Sequence, residues 1–426
     1  MSLDDQYGDD SVSRHGEVGQ TNKNLLRRNS QASVTLALHW DDKRAVHEDR
    51  MHFELFDVAS EIGSLPGNLG ETILGKPAGK RIVTSCAAGE LFDSWQHNLC
   101  HLASPNRFDR SLYDKKQVEP KVGRFYPRDC FQDLPDFHGK APLAGRITRL
   151  NQDKMTIDLN HTMAHFDIEL GLTIEQLFTA TADSRTSPTR CLEQTGLTTG
   201  LKACLKGPAN TDYGDDTEGL SRIDNDNDAV FYHMPRWVQH LDAVALDTIN
   251  KLYRRLIPAG GEVLDIMASH DSHLQDIDIN TLYVLGMNQQ ELSANKAANV
   301  SFMHNLNQEP VVMLTDESVD AVVCTASIEY LTNPIGILAE IRRVLKRDGI
   351  FIVTFSNRWF PTKAIQIWTE LHEFERVGLV TQWMANTGFN RLHTFSSRGW
   401  PRPASDSYHG SLQHSDPVHA VWGYKP

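Results

Sequence analysis

Several things are scarce in this chain, and each absence excludes something. No run of uninterrupted apolar residues approaches the roughly 18–20 needed to cross a bilayer as a helix, so no membrane span is expected. Positive charge is short: 42 Lys+Arg stand against 55 Asp+Glu, a net charge of −13. An acidic chain without a basic stripe and interleaved aromatics gains nothing from counterion release, so nucleic acid is not an expected partner. Cysteine is sparse, with six residues at 86, 100, 130, 191, 204 and 324 and no C-x-x-C pair. That usage fits a reducing compartment rather than a disulfide scaffold. The N-terminus is acidic and polar and lacks the basic-then-apolar order of a signal peptide, so the expected location is cytoplasmic. Nineteen histidines include no H-E-x-x-H. The nearest approach to zinc spacing, His97-Asn-Leu-Cys100-His101, reads as a solvated loop, and no metal is expected.

What is present begins at residue 262. Val263, Leu264 and Ile266 surround Asp265 in a short apolar run that ends at a polar turn. A second run, Leu282-Tyr283-Val284-Leu285-Gly286-Met287, ends at Asn288. Strand, turn, crossover helix and strand, with a polar side chain at the strand tip, is the frame of a nucleotide-type pocket in an open parallel sheet. The usual acidic residue followed by G-x-G-x-G is replaced, because Met267, Ser269 and Asp271 hold the three glycine positions. Asp320–Ser327 is β-branched and fit for a buried strand. Pro334 then opens a helix with Ile335, Leu338, Ile341, Val344 and Leu345 on one face, closed by Asp348-Gly349, and Gly349–Phe355 is the next strand.

At this point a resemblance is plain. The segment DESVDAVVCTASIEYLTNPIGILAEIRRVLKRDGIFIVTFSNR resembles motifs IV to VI of class I S-adenosylmethionine (SAM) dependent methyltransferases. The resemblance covers roughly residues 225–426 and implies an α/β Rossmann-like sheet, SAM as cofactor, and a final antiparallel pair, Gly388–Phe395 and Pro417–Trp422, finishing the sheet. A second resemblance covers residues 33–177. Gly63–Gly67 and Leu74–Lys80 are similar to the pivot of FK506-binding-type (FKBP) prolyl isomerases, and Asp158–Ala164 with the alternating Phe166–Leu170 is similar to the closing strand of the SlyD subgroup. Val122–Phe125 to Ala144–Arg146 resembles that subgroup's inserted flap. It implies an α+β, β-rich module. Ala87-Ala88-Gly89 stands where the family has Ala-Tyr-Gly, which removes a wall of the proline pocket and argues against isomerase activity. The expected layout is a disordered tail over 1–32, the FKBP/SlyD-like module over 33–177, a linker over 178–224 and the methyltransferase module over 225–426.

The resemblance also implies cofactor contacts. Asp265 takes the place of the acidic residue that anchors one end of the pocket; capping a following helix is its plainer reading. Met267 and Ser269 lie on the glycine-poor turn. Asn288, with Met287 beside it, stands where an Asp or Glu accepts the ribose hydroxyls. Asn305-Leu306 falls where an adenine-reading pair lies, and Cys324 and Thr325 end the strand facing the methionine moiety. For the reaction itself, Tyr232, Arg236 and His240 belong to a dense cap before the first strand, and His273 follows the turn closely enough to compete as base. The cap's aromatic faces suit a sulfonium cation. The F-Y-x-x-P-R-x-V-x-H-x-D cap and the SlyD-like fusion resemble bacterial enzymes that methylate small thiols, which implies hydrogen sulfide or methanethiol as acceptor. A protein-directed methyltransferase using the front module as receptor, and a chaperone or scaffold with a silent methyltransferase fold, are the alternatives from other classes.

Overall fold

The computed structural model describes residues 25–111, 118–132, 134, 144–178, 190–205 and 210–426. In the front half, β1 (Gln31–Asp41), β2 (Ala45–Asp57), β3 (Arg81–Cys86) and β8 (Ile168–Phe178) pair in the order β2-β1-β8-β3, all antiparallel. Between β3 and β8 the chain builds a separate four-stranded sheet from β4 (Cys100–Ala103), β5 (Phe125–Pro127), β6 (Ala144–Leu150) and β7 (Met155–Asp158). It has its own small core of Phe108, Tyr126, Phe131, Ile147, Met155 and Ile157.

The back half holds β9 (Gly261–Ile266), β10 (Ile279–Gly286), β11 (Val300–Met303), β12 (Val319–Thr325), β13 (Leu345–Phe355), β14 (Asn390–Arg398) and β15 (Val418–Tyr424). Their order is β11-β10-β9-β12-β13-β15-β14. The first five are mutually parallel, and β15 is antiparallel to both β13 and β14. This is the Rossmann-like arrangement of class I methyltransferases, with β9, β10, β12 and β13 packed on both faces as their apolar runs require. The helix Ala243–Leu256 forms because Asp242 caps it, accepting from Val244 N and Ala245 N at 2.9 and 3.1 Å, and because Ala245, Ile249, Leu252 and Tyr253 make one buried face. The helix Pro334–Val344 starts on Asn333 with proline in its first turn, where a missing N–H costs nothing.

Four expectations change. The final antiparallel pair does not finish the sheet, because β14 pairs in parallel with β2, from Leu392↔Ala45 to Arg398↔Met51, so one eleven-stranded sheet runs through both halves. The expected linker is built into the body: its described residues include the helix Cys191–Thr199, and Lys202 and Tyr213 are fully buried. Of the expected tail, residues 1–24 lie outside the described residues, whereas Leu26 is buried and exchanges backbone hydrogen bonds with Gly75 and Lys76. No helix crosses over between β9 and β10; residues 267–278 are turns and bends. Left-handed backbone at Met267, His273 and Asp276 (φ 57°, 57° and 58°) prevents a helix from forming there.

The seam between the halves is polar and closed. Lys202 Nζ, fully buried, bonds the Asp49 carboxylate of β2 and the Thr394 and Ser396 hydroxyls of β14, the last two at 3.3 and 3.2 Å. His47 Nδ1 lies 2.8 Å from Thr394 Oγ1. Further out, Arg124 donates to Glu375 at 3.0 Å, Arg398 to Thr195 O at 3.0 Å, and Gln382 to Thr211 O at 2.9 Å. Among the described residues, no helix is long and apolar enough to cross a membrane.

Candidate active site

A cleft opens at the carboxyl ends of β9, β10 and β12, where an open α/β sheet places its ligands. Tyr232, Arg236, His240, Asp265, Met267, Ser269, His273, Met287, Asn288, Asn305, Leu306 and Thr325 all line it. Cys324 does not; it is fully buried in the core beneath, and burial raises its thiol pKa. Sequence reasoning missed Gln239, His270, Glu291, His304 and Asn307, which also line the cleft. Gln239, His270, His304 and Asn307 reach it from three separate loops with nothing local to mark them, and Glu291 reaches it from the first turn of the helix Gln289–Ala294.

The tip of β10 is two residues earlier than expected. The strand ends at Gly286, and Asn288 is the N-cap of the helix Gln289–Ala294. A Cβ on Gly286 would lie 2.2 Å from the Ala268 carbonyl oxygen, so only glycine fits. Asn288 spends all four of its side-chain hydrogen-bonding positions. Its Oδ1 accepts from Gln290 N and Glu291 N at 3.0 and 3.1 Å, and its Nδ2 donates to the Tyr232 and His233 carbonyls at 2.9 and 3.0 Å. The Asn-x-x-Glu spacing of 288–291 is a helix-start signal that would have placed the cap correctly.

Glu291 joins the other parts. One carboxylate oxygen accepts from Arg236 N and the other from Ser269 Oγ, both at 2.7 Å. Gln239 donates to Asp271 at 2.8 Å. The cap, the turn after β9 and the helix after β10 are thus tied together. Left-handed backbone at three non-glycine positions lining the cleft, Met267, His273 and Ala326, concentrates strain there.

Asp265 sits at the end of β9, buried, and burial raises its pKa to about 7 against a counteracting hydrogen bond from Ser272. No helix follows for it to cap. His240 packs edge-on against Phe360, with ring centroids 5.2 Å apart. Burial and then Arg236 lower its pKa below the usual imidazole value, so it is neutral at pH 7. Burial pushes the Tyr232 phenol the other way, to higher pKa, so it stays protonated and acts as a donor rather than a base. Burial likewise lowers the pKa of His273, whose Nδ1 is 3.5 Å from Asp271. The aromatic faces of the cap already hold a cation of the protein's own: the Arg236 guanidinium lies 4.5, 5.2 and 5.6 Å from the Phe231, Phe360 and Tyr232 ring centres.

Residues 258–353 match the family model of a methyltransferase domain. No curated protein matches the chain. Among solved structures, a SAM-dependent methyltransferase of Thermotoga maritima, described as a possible histamine N-methyltransferase, is 16% identical, covers 43% of this chain and 90% of its own, and has a TM-score of 0.32. A putative methyltransferase of Bacillus halodurans is 12% identical over 43% and 100%, with a TM-score of 0.30. A SAM-dependent methyltransferase of Archaeoglobus fulgidus is 13% identical over 42% and 94%, at 0.31. At such scores these likenesses carry no argument of their own. The family match identifies residues 258–353 as a SAM-dependent methyltransferase domain, with S-adenosylmethionine as its cofactor.

The chemistry of the lining fits that cofactor, with one departure from what the family resemblance implies. Asn305 and Leu306 bring an amide and an apolar face to the lining, and Arg236, Ser269 and Thr325 bring polar groups. No carboxylate stands at the tip of β10, because Gly286 has no side chain and Asn288, an amide, is committed to other bonds.

Proposed function

We propose that this chain transfers a methyl group from S-adenosylmethionine to a small thiol, hydrogen sulfide or methanethiol, giving methanethiol or dimethyl sulfide. The observation that carries the acceptor is that the Arg236 guanidinium and a His240 imidazole held below its usual pKa by burial line one cleft. A neutral imidazole takes the S–H proton, and the guanidinium stabilises the thiolate left behind. Tyr232, kept protonated, donates to the sulfur and orients it. The bound cofactor supplies a methyl on a positively charged sulfur, which leaves as a neutral thioether. The protein's part is alignment and exclusion of water, and a cap tied over the cleft provides both. Asp265, Met267, Ser269, Met287, Asn305, Leu306 and Thr325 would then line the cofactor side. A radiolabelled methyl assay tests the reading: label should enter small thiols and not protein of a whole lysate.

A protein acceptor is favoured by one observation, the exposed apolar residues Val230, Met234, Trp237 and Val238 on the cap beside the cleft. Label in lysate protein would establish it. The missing ribose carboxylate favours the silent-fold alternative, and calorimetry with SAM decides against that one if heat of binding is seen. For the front half, the reading remains an FKBP-like module of the SlyD kind. Its support is an antiparallel sheet interrupted between β3 and β8 by a second small sheet. Ala88 is exposed, with its N–H bonded to Asp167, so little prolyl isomerisation is expected from it.

A further inference from the structure

We infer that Asn288 is a positioning residue, the latch that holds the cap closed over the cleft, rather than a contact for the cofactor ribose. The inference rests on the methyltransferase reading only for its consequence in turnover; the latch itself rests on geometry.

The side chain is buried, and its two halves face different elements. The oxygen is committed to the start of its own helix, accepting from Gln290 N and Glu291 N. The amide group is committed to the cap, donating to two consecutive carbonyls, Tyr232 and His233. An amide is the only side-chain group of this size that accepts on one face and donates twice on the other. A carboxylate in its place would cap the helix equally well, since Asp and Asn rank together as N-caps. It would also set a second oxygen against two carbonyl oxygens with no proton between them, and the cap would lose its tie. Glu291, one turn on, fastens the next part of the cap through Arg236 N. Residues 232–236 carry both Tyr232 and Arg236, so releasing that segment displaces the groups that face the acceptor.

The latch and the ribose contact predict opposite signs for one substitution. If Asn288 served the ribose, Asn288→Asp would supply the carboxylate that the family resemblance implies there and tighten SAM binding. If it is the latch, Asn288→Asp should still fold to the parent structure and speed amide hydrogen exchange over residues 229–241 by tenfold or more, well beyond any change elsewhere in the chain. It should also weaken SAM binding and lower kcat by more than it raises the KM of SAM. Asn288→Ser, which caps the helix without adding charge, should loosen the same segment and so separate loss of the tie from repulsion. Tighter SAM binding in the Asp variant with unchanged exchange over 229–241 would overturn the latch. Unchanged exchange in both variants would overturn it as well. A parent chain that binds no SAM would sink the methyltransferase reading, and the exchange measurements would still decide the latch.

Discussion

Two regions of this protein bury polar groups, the seam between the halves and the cleft at the ends of β9, β10 and β12, and they spend them differently. At the seam most of the groups answer one another across the join, although His47 Nε2 and Gln382 Oε1 are left without a hydrogen-bond partner among the described residues. Lys202 meets Asp49, Thr394 and Ser396, and Arg124 meets Glu375. In the cleft, Tyr232, His240, Arg236 and Asp265 line the opening and keep hydrogen-bonding capacity beyond their protein contacts. A polar group fully answered by protein is holding the fold, and one left facing a cavity is available to a ligand. Asn288 shows why the test must be made residue by residue, since it lies in the cleft and is spent like a seam residue.

The largest effect should come from the seam. Lys202→Ala leaves the Asp49 carboxylate buried without its cation, a change that typically costs about 3–5 kcal/mol. Thermal unfolding should show a drop large enough to threaten the whole molecule. Lys202→Met together with Asp49→Leu should recover much of it, because an apolar pair of similar volume avoids the desolvation penalty. For the same reason a fragment of residues 220–426 should aggregate rather than work alone: it would expose the β14 edge that β2 covers. A monomeric, SAM-binding fragment would show that the seam is optional.

Next in size is the base. His240→Ala should lower turnover by roughly 10²-fold with SAM affinity little changed, the ordinary span for removing a positioned base. Tyr232→Phe should cost less, since the raised phenol pKa makes it a donor to the sulfur only. Because His240 titrates below the usual imidazole value, the rate should be insensitive to it at neutral pH, and any rise above pH 7 should follow the thiol. A parent rate in the His240 variant would move the role to His273, which also lines the cleft.

How much of this was legible in the sequence follows from the range of each interaction. The strands around Val263, Val284, Val322 and Ile352 were readable because a strand buried on both faces leaves a local apolar run. The cap was readable because Phe231, Tyr232, Arg236 and His240 crowd into ten residues. The β2–β14 pairing was not, since it joins residues more than 300 positions apart and each strand alternates in the same way whichever neighbour it has. The missing crossover helix was hidden in left-handed backbone at His273 and Asp276, residue types that carry no strong sign of it. The two-residue displacement at Gly286 and Asn288 came from treating a helix cap as a strand tip.

The smallest expected effect concerns Asp265, the one carboxyl in the cleft that burial has pushed far from its usual range. Its pKa of about 7 in the folded chain stands against 3.8 for an ordinary aspartate. Between those values the folded state holds a proton that the unfolded chain has released, so stability must fall as pH rises from about 4 to about 7 and level off above. Asp265→Asn removes that titration. The variant should match the parent near pH 4 and be more stable at pH 8, by about 1–3 kcal/mol once water penetration and the Ser272 hydrogen bond reduce the full linkage value. If Asp265 also contacts the cofactor, the same variant should bind SAM more weakly, a gain in stability bought with function. Denaturant melts of both proteins at the two pH values make the check. A variant less stable than the parent at pH 8 would mean that the folded state holds the Asp265 carboxylate by hydrogen bonds, and Asp265 would then belong with the spent groups of the seam rather than with the open groups of the cleft.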